Sequence, residues 1–292
     1  MIPESSVLNS GAAPGRMKRV HFVLAAIFAA SSACAAPLAA QNDQYTPRFG
    51  MGHKPDVTVV PGTTAGPTAP DDDERCFPWK LSEMKAAGTS VAQLKVPPQA
   101  RREYEKACDA SGQNHFDEAE QHMRKVLEKF PAYPAAWVML GTSLENQNKP
   151  AEARDACSHA TTVDAKYLPA YLCVAEISAR NQDWKEVLHA ADAALALHPE
   201  RDPYPDYYRA RACLHLNDLA EAKKSALRAV EIDSSHYEPS LYFLLAQIYE
   251  REGDRPNAIA QLQLLLKLHP DATQEDMAKQ LLARLESPPA AK

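Results

Sequence analysis

The sequence predicts an all-α solenoid of about five pairs of antiparallel helices, followed by a single capping helix and preceded by a disordered linker. Three observations carry that expectation. A pattern of large and small apolar residues returns every 34 residues, or slightly more, from residue 100 onward. Glycine is scarce, ten in 292 residues, and helices need little of it. Many of the 23 prolines fall before residue 100 or at the junctions between repeating units.

Residues 134–167 give the clearest copy, with Trp137 at the fourth place, then Leu140, Gly141, Leu144, Ala153 and Ala160. Residues 168–201 continue it with Tyr171, Val174, Ala175, Trp184, Ala194 and Pro199. After one inserted residue, 203–236 supply Ala210, Leu219, Ala222, Ala229 and Ile232; after two more, 239–272 supply Tyr242, Ala246, Tyr249, Gly253, Ala258 and Pro270. Upstream, 100–133 give Ala107, Phe116, Ala119, Val126 and Pro131, with a degenerate first helix. The small residues at the eighth and twentieth places let the two backbones of a pair approach, and the large residue at the fourth fills the space against the second helix.

The ends of the helices follow from the same phase. Pro150 and Pro256 open second helices, where a missing N–H costs nothing. Pro131, Pro199 and Pro270 end them. Thr273-Gln-Glu-Asp276 reads as the N-cap of the closing helix, 273–286, with Met277, Leu281 and Leu282 on one side. Residues 287–292 are left as a tail.

The first hundred residues are of another kind. Arg16, Lys18 and Arg19 precede an apolar stretch from Val20 to Ala33, and Ala33-Cys34-Ala35 and Pro37-Leu-Ala-Ala offer small-residue cleavage sites before Gln41. That is the pattern of an export signal over 1–40, too short and Ala-rich for a stable span. A cleaved chain would have no membrane span and would be periplasmic or secreted; Met17 offers an alternative start. Residues 41–75 mix Pro, Gly, Thr and the acidic run Asp71 to Glu74 with no helical period, which reads as a disordered linker. Residues 76–99 stay unassigned, although Cys76, Phe77, Trp79, Leu81 and Met84 suit packing onto the first repeat.

Composition narrows function. The net charge of −6 and the lack of a long basic run leave no nucleic-acid footprint. The sequence holds no His-Glu-x-x-His, Gly-x-Ser-x-Gly, Walker loop or dinucleotide fingerprint, and its ten histidines are scattered. The reading is therefore non-catalytic, with no cofactor and no metal. Removal of Cys34 with the signal leaves five cysteines, an odd number, so at least one is not paired within the chain. Cys157 falls on the second helix of one repeat and Cys173 on the first helix of the next. Their midpoint, residue 165, lies in the intervening turn, so antiparallel helices bring them to one height, where facing side chains can form a disulfide; the alternative is reduced core cysteines turned to different neighbours.

Over residues 100 to 286 the chain resembles the tetratricopeptide repeat (TPR) family, and more narrowly its exported bacterial members, through Leu94-Lys-Val-Pro-Pro98, Tyr167-Leu-Pro-Ala-Tyr-Leu-Cys173 and Leu244-Leu-Ala-Gln-Ile-Tyr249. The resemblance implies a right-handed superhelix whose first helices line a groove for a protein or peptide partner. Carried over by position, that groove comprises Val138, Thr142, Glu145, Leu172, Glu176, Arg180, Tyr207, Arg211, His215, Phe243, Gln247 and Arg251. Leu172, Tyr207 and Phe243 are expected as apolar anchors projecting from its inner face. The three arginines point to acidic groups on the partner, although Glu145, Glu176 and Glu250 lie alongside. Tyr104 and Cys108 stand where co-chaperones of the family place the Lys and Asn that clamp a C-terminal carboxylate. An accessory role in cell-wall or polysaccharide handling, with glycan or enzyme contact, is the alternative; only Tyr204, Tyr207 and Phe243 give it aromatic support.

Overall fold

A computed structural model describes residues 96–197, 202–233, 238–268 and 270–287, all within one compact unit of the chain. The export signal, the linker, most of 76–99, Pro199, His198, His269 and the end of the tail lie outside the described residues. Those described form eleven α-helices and no strand. In order they are α1 (Pro98–Gly112), α2 (Phe116–Lys129), α3 (Pro134–Asn146), α4 (Pro150–Val163), α5 (Leu168–Arg180), α6 (Trp184–Leu195), α7 (Tyr204–His215), α8 (Leu219–Ile232), α9 (Pro239–Glu252), α10 (Arg255–Lys267) and α11 (Ala272–Glu286). Odd-numbered helices up to α9 are the first of each pair and even-numbered ones the second.

The same turn closes every pair. Asn114, Asn148, Gln182, Asn217 and Gly253 take left-handed backbone angles, with φ between 59° and 79°. The next residue then donates its N–H to a carbonyl five residues back: His115 to Ala110, Lys149 to Leu144, Asp183 to Ser178, Asp218 to Cys213 and Asp254 to Tyr249, all at 2.8–3.0 Å. These bonds satisfy carbonyls that a helix end would otherwise leave open. The aspartates go further: the carboxylates of Asp183, Asp218 and Asp254 cap α6, α8 and α10. Spacing between the left-handed residues runs 34, 34, 35 and 36, the same phase as the apolar pattern.

The small residues sit where the backbones meet. Ala107, Ala119, Ala153, Ala175, Ala210, Ala222, Ala246 and Ala258 have no exposed surface. The tightest place is Gly141 on α3, where an added Cβ would fall 2.3 Å from Cys157 Sγ and 3.0 Å from the Ala153 carbonyl. Large residues at the fourth place do more than fill space. The Trp137 indole donates to the Pro131 carbonyl (2.7 Å), and the Tyr171 hydroxyl donates to Ala165 (3.0 Å). Tyr104 packs on Tyr133 across the first pair, ring centroids 5.2 Å apart. Most buried side chains join one core that runs from Val96 to Ile248; a second gathers Tyr242, Phe243, Leu262, Leu265, Ala278, Leu281 and Leu285 beneath α11.

One expected cap moves. Asp271, two residues before Thr273, caps α11, and Gln274 reaches back to the Asp271 N–H in a reciprocal capping box. Both are capping residue types, but Asp271 leaves Gln274 in the third helical position that the box requires.

Candidate functional site

Each first helix packs closely on the first helix of the following repeat, α1 with α3, α3 with α5, α5 with α7 and α7 with α9, whereas among the described residues successive second helices meet only through long side chains, as in Arg124–Glu152 and Arg154–Glu186. The first helices are thus the closer-set, inner row. The twelve groove positions fall on this row, but they divide into three groups.

Val138 and Leu172 are fully buried, Tyr207 is 3% exposed and Phe243 8%. The expectation that Leu172, Tyr207 and Phe243 project as anchors from the inner face is corrected. Adjacent first helices lie close enough to close over this place in each repeat, so that Val138, Leu172 and Tyr207 belong to the main core and Phe243 to the one beneath α11. Burial also pushes the Tyr207 hydroxyl up to about 12 and Tyr208 well above the ordinary tyrosine range.

The second group is a polar ladder across three helices. Arg180 on α5 donates from Nε to Glu176 Oε1 at 2.9 Å and lies 3.7 Å from Glu145 on α3. Glu176 accepts from the Tyr208 hydroxyl of α7 at 2.9 Å through its other oxygen. Glu145 Oε2 is buried without a hydrogen-bond partner. Desolvation raises the Glu145 pKa, Arg180 opposes it, and Glu176 adds repulsion. Arg180 is therefore held between two carboxylates of its own chain, which removes it from the set of cations offered to an acidic partner. Arg211, only 6% exposed, is removed too. Its guanidinium lies over the Tyr207 ring (5.5 Å) and the Trp184 ring (5.8 Å), and Trp184 stacks flat on His215 at 3.6 Å. Such cation–π contacts strengthen as water is excluded.

The third group stays open to solvent. Arg251 is exposed and reaches Asn217 at 3.3 Å. Gln247 is half-buried, and half-buried Thr142 donates back to the Met139 carbonyl at 3.0 Å. Tyr208 joins the polar ladder and Trp184 the stack around Arg211, although position alone did not assign them. The signal that reaches Tyr208 is the spacing of Tyr204, Tyr208, Arg211 and His215 along one face of α7.

A charged pocket of a different sort lies at the start of α7. Asp202 is buried; its Oδ1 accepts the Tyr204 N–H at 2.8 Å, and its Oδ2 has no hydrogen-bond partner. Burial pushes Asp202 up to about 6, against the pull of the Tyr204 N–H, and Asp206 adds repulsion. Asp206 lies 3.3 Å from Arg228 on α8. Among the described residues no group of three or more His, Cys, Asp or Glu is arranged to hold a metal ion.

Cys157 and Cys173 are joined in the structure, with Cα atoms 5.7 Å apart, inside the range a disulfide spans. Cys213 on α7 is a buried thiol.

Five helix pairs with a shared turn, a continuous inner row and a closing helix define a helical-repeat protein of the protein-binding kind. Tetratricopeptide repeat family profiles match residues 104–165, 207–236 and 240–272. Over these stretches the chain carries tetratricopeptide repeats. Its fold is similar to that of a thermophilic TPR protein from Thermus thermophilus, with 17% identity over 63% of this chain and 99% of that one, TM-score 0.54. It is also similar to the part of MamA from residue 41 to the end, from Desulfovibrio magneticus RS-1 (16% identity, 59% and 96% covered, TM-score 0.51). A third is PilF of Pseudomonas aeruginosa (15% identity, 64% and 88% covered, TM-score 0.54). Identities this low speak to the fold alone. No curated protein matches the sequence.

Proposed function

We propose that this protein is an exported, non-catalytic scaffold that holds a protein or peptide segment against its inner row of first helices. The observation that carries the reading is the ladder Glu145–Arg180–Glu176–Tyr208, which fixes polar groups in place across α3, α5 and α7. A surface ordered before binding loses less entropy when a partner arrives. Contacts come from the rim of the ladder and from the open residues Thr142, Gln247 and Arg251, and the buried residues at the fifth place support them from below. A protein partner is favoured over a glycan because the aromatic rings of α7 are buried or engaged with one another.

The test is photo-cross-linking from single positions of the full chain in its own envelope fraction. A cross-linker at Thr142 or Gln247 is expected to trap a discrete partner, whereas one at Leu227, which is exposed on the second helix α8, is expected to trap none. Arg251→Ala should weaken that partner by about 1 kcal/mol, with helicity unchanged. Adducts from Leu227 alone would move the site to the outer helices. Export is tested separately: the envelope fraction should yield a chain beginning near Gln41.

A further inference from the structure

We propose, building on the scaffold reading, that the ladder receives a basic side chain of the bound segment and that Glu145 is the residue that selects it. The sign is opposite to the one that the three groove arginines suggest in the sequence, since Arg180 and Arg211 are both engaged within the chain.

Glu145 is the only charged residue of α3, and Glu176 and Arg180 are the only two of α5. These helices therefore bring two carboxylates and one guanidinium to the middle of the inner row, a local excess of one negative charge. The three groups are not equally served. Glu176 has both oxygens bonded, one to Arg180 Nε and one to the Tyr208 hydroxyl, each at 2.9 Å. Arg180 gives that bond to Glu176 and stands 3.7 Å from Glu145 Oε1, beyond hydrogen-bond length. Glu145 Oε2 has no hydrogen-bond partner.

The donors that could serve Glu145 are turned elsewhere. Thr142, one turn earlier on α3, gives its hydroxyl to the Met139 carbonyl at 3.0 Å, and Asn146 gives its amide to the Thr142 carbonyl at 2.8 Å. Asn181, at the end of α5, gives its amide to the Ile177 carbonyl at 2.9 Å. Farther along the row, Glu250 on α9 is held by Arg284 at 2.8 Å, so the unserved carboxylate lies on α3.

What this carboxylate accepts follows from desolvation. Its side chain keeps 12% of its surface. Burial already disfavours its charge, and Arg180 offsets this only in part. A segment laid along the row drives off the remaining water. An apolar or acidic side chain there would leave the charge drier and still unpaired, at a cost in affinity. An ammonium or guanidinium group brings the hydrogen-bond donors that the chain itself withholds. Selectivity then comes as much from what is refused as from what is held.

The experiment titrates the full chain with labelled glycine–serine peptides of equal length that bear lysine, glutamate or glutamine. Fluorescence anisotropy is read at about 0.15 M salt, where exposed charges more than about 8 Å apart are screened from one another. The lysine peptide should bind about tenfold tighter than the glutamine peptide, and the glutamate peptide should bind weakest. Glu145→Gln keeps the shape of the side chain and removes its charge, and should erase that order. Its melting temperature should be unchanged or higher, because a poorly paired charge is lost. Glu128→Gln, at an exposed site on α2, removes the same charge from the chain and should keep the order. Equal affinities, a preference for glutamate, a lysine preference that survives Glu145→Gln, or a lower melting temperature in that variant overturns the proposal. A partner trapped from Thr142 or Gln247 that the lysine peptide fails to displace would sink this proposal and leave the scaffold standing; adducts from Leu227 alone would sink both.

Discussion

At the fourth place of the repeat, α3 carries Trp137 and α5 carries Tyr171, each bonded through its ring to a backbone carbonyl six residues earlier. At the same place α7 carries Asp206, which faces Arg228 on α8, with the buried Asp202 close by. The seam leading into α5 is further tied by the Cys157–Cys173 bond, whereas the seam leading into α7 has charges where its neighbour has rings and sulfur. The comparison teaches that one repeat pattern accepts two chemistries at equivalent seams. One is nearly indifferent to pH; the other is not.

The largest expected effect breaks the covalent seam. Gly141→Ala places a methyl group against Cys157 Sγ, the Ala153 carbonyl and Cys173 Sγ, so bond and methyl cannot both keep their places. A loss of about 3 kcal/mol is expected in urea unfolding of the oxidised protein, from overpacking together with strain on the bond. Cys157→Ser should lose a similar amount, since a loop of about 15 residues is worth about 3 kcal/mol in the chain-entropy account. Mass spectrometry without reductant should find the two cysteine peptides joined in the parent protein. Free alkylation of both after denaturation alone would show that the bond does not exist.

A middle effect sharpens the charged seam. Asp202 titrates at about 6 when folded, against an ordinary 3.8, so the unfolded chain gives up its proton first as pH rises. Stability therefore falls between about pH 4 and 6 and stays low above, by an amount on the order of 2 kcal/mol. Asp202→Asn should remove that slope in denaturant titrations at pH 4 and 7; parallel profiles for variant and parent would refute it. The first two repeats carry the opposite sign. Bonds from Lys106 and His122 hold Glu103 down to about 2. Burial works against Glu120, but bonds from Lys149, Arg124 and Gln147 outweigh it and leave it at about 2 as well. Their contribution is complete above about pH 4.5 and lost as pH falls toward 2, and it is small because both pairs reach solvent.

The smallest effect concerns the turns. Gln182 holds the left-handed angle that three asparagines and a glycine hold elsewhere. Gln182→Gly should raise stability by about 0.5–1 kcal/mol in thermal melts, by relieving the Cβ clash that this backbone imposes. A lower melting temperature would mean that the Gln182 side chain makes up for its own strain.

Much of the fold was legible in the sequence because its phase is written in small residues that have no room to vary. Ala153, Ala175 and Ala258 sit at zero exposure, and the left-handed turns keep the same intervals as the apolar pattern. The inner row was legible as a set of positions but not as a surface. Repeat phase tells which way Leu172 points, not how near the neighbouring first helix stands, and that distance buries it. The pairing of Arg180 with Glu176, four residues back on α5, is legible in the spacing, but the approach of Glu145 on α3, which completes the clamp, appears only once α3 and α5 lie side by side. The Tyr208–Glu176 bond spans 32 positions and leaves no local trace. Asp206, like Glu103 in the degenerate first repeat, stands at a place reserved for a large apolar residue, a departure that is visible in the sequence.

The turn inside each pair never changes length between its left-handed residue and the residue that opens the next helix, from Asn114–His115 to Gly253–Asp254. All the added length has gone between pairs, before α7 and before α9. The molecule therefore has two kinds of joint, one that counts residues and one that does not. New sequence entering ahead of α7 or α9 would leave every helix in register, so these are the places where the chain can acquire a further loop, a reporter or a second binding element without recutting the stack.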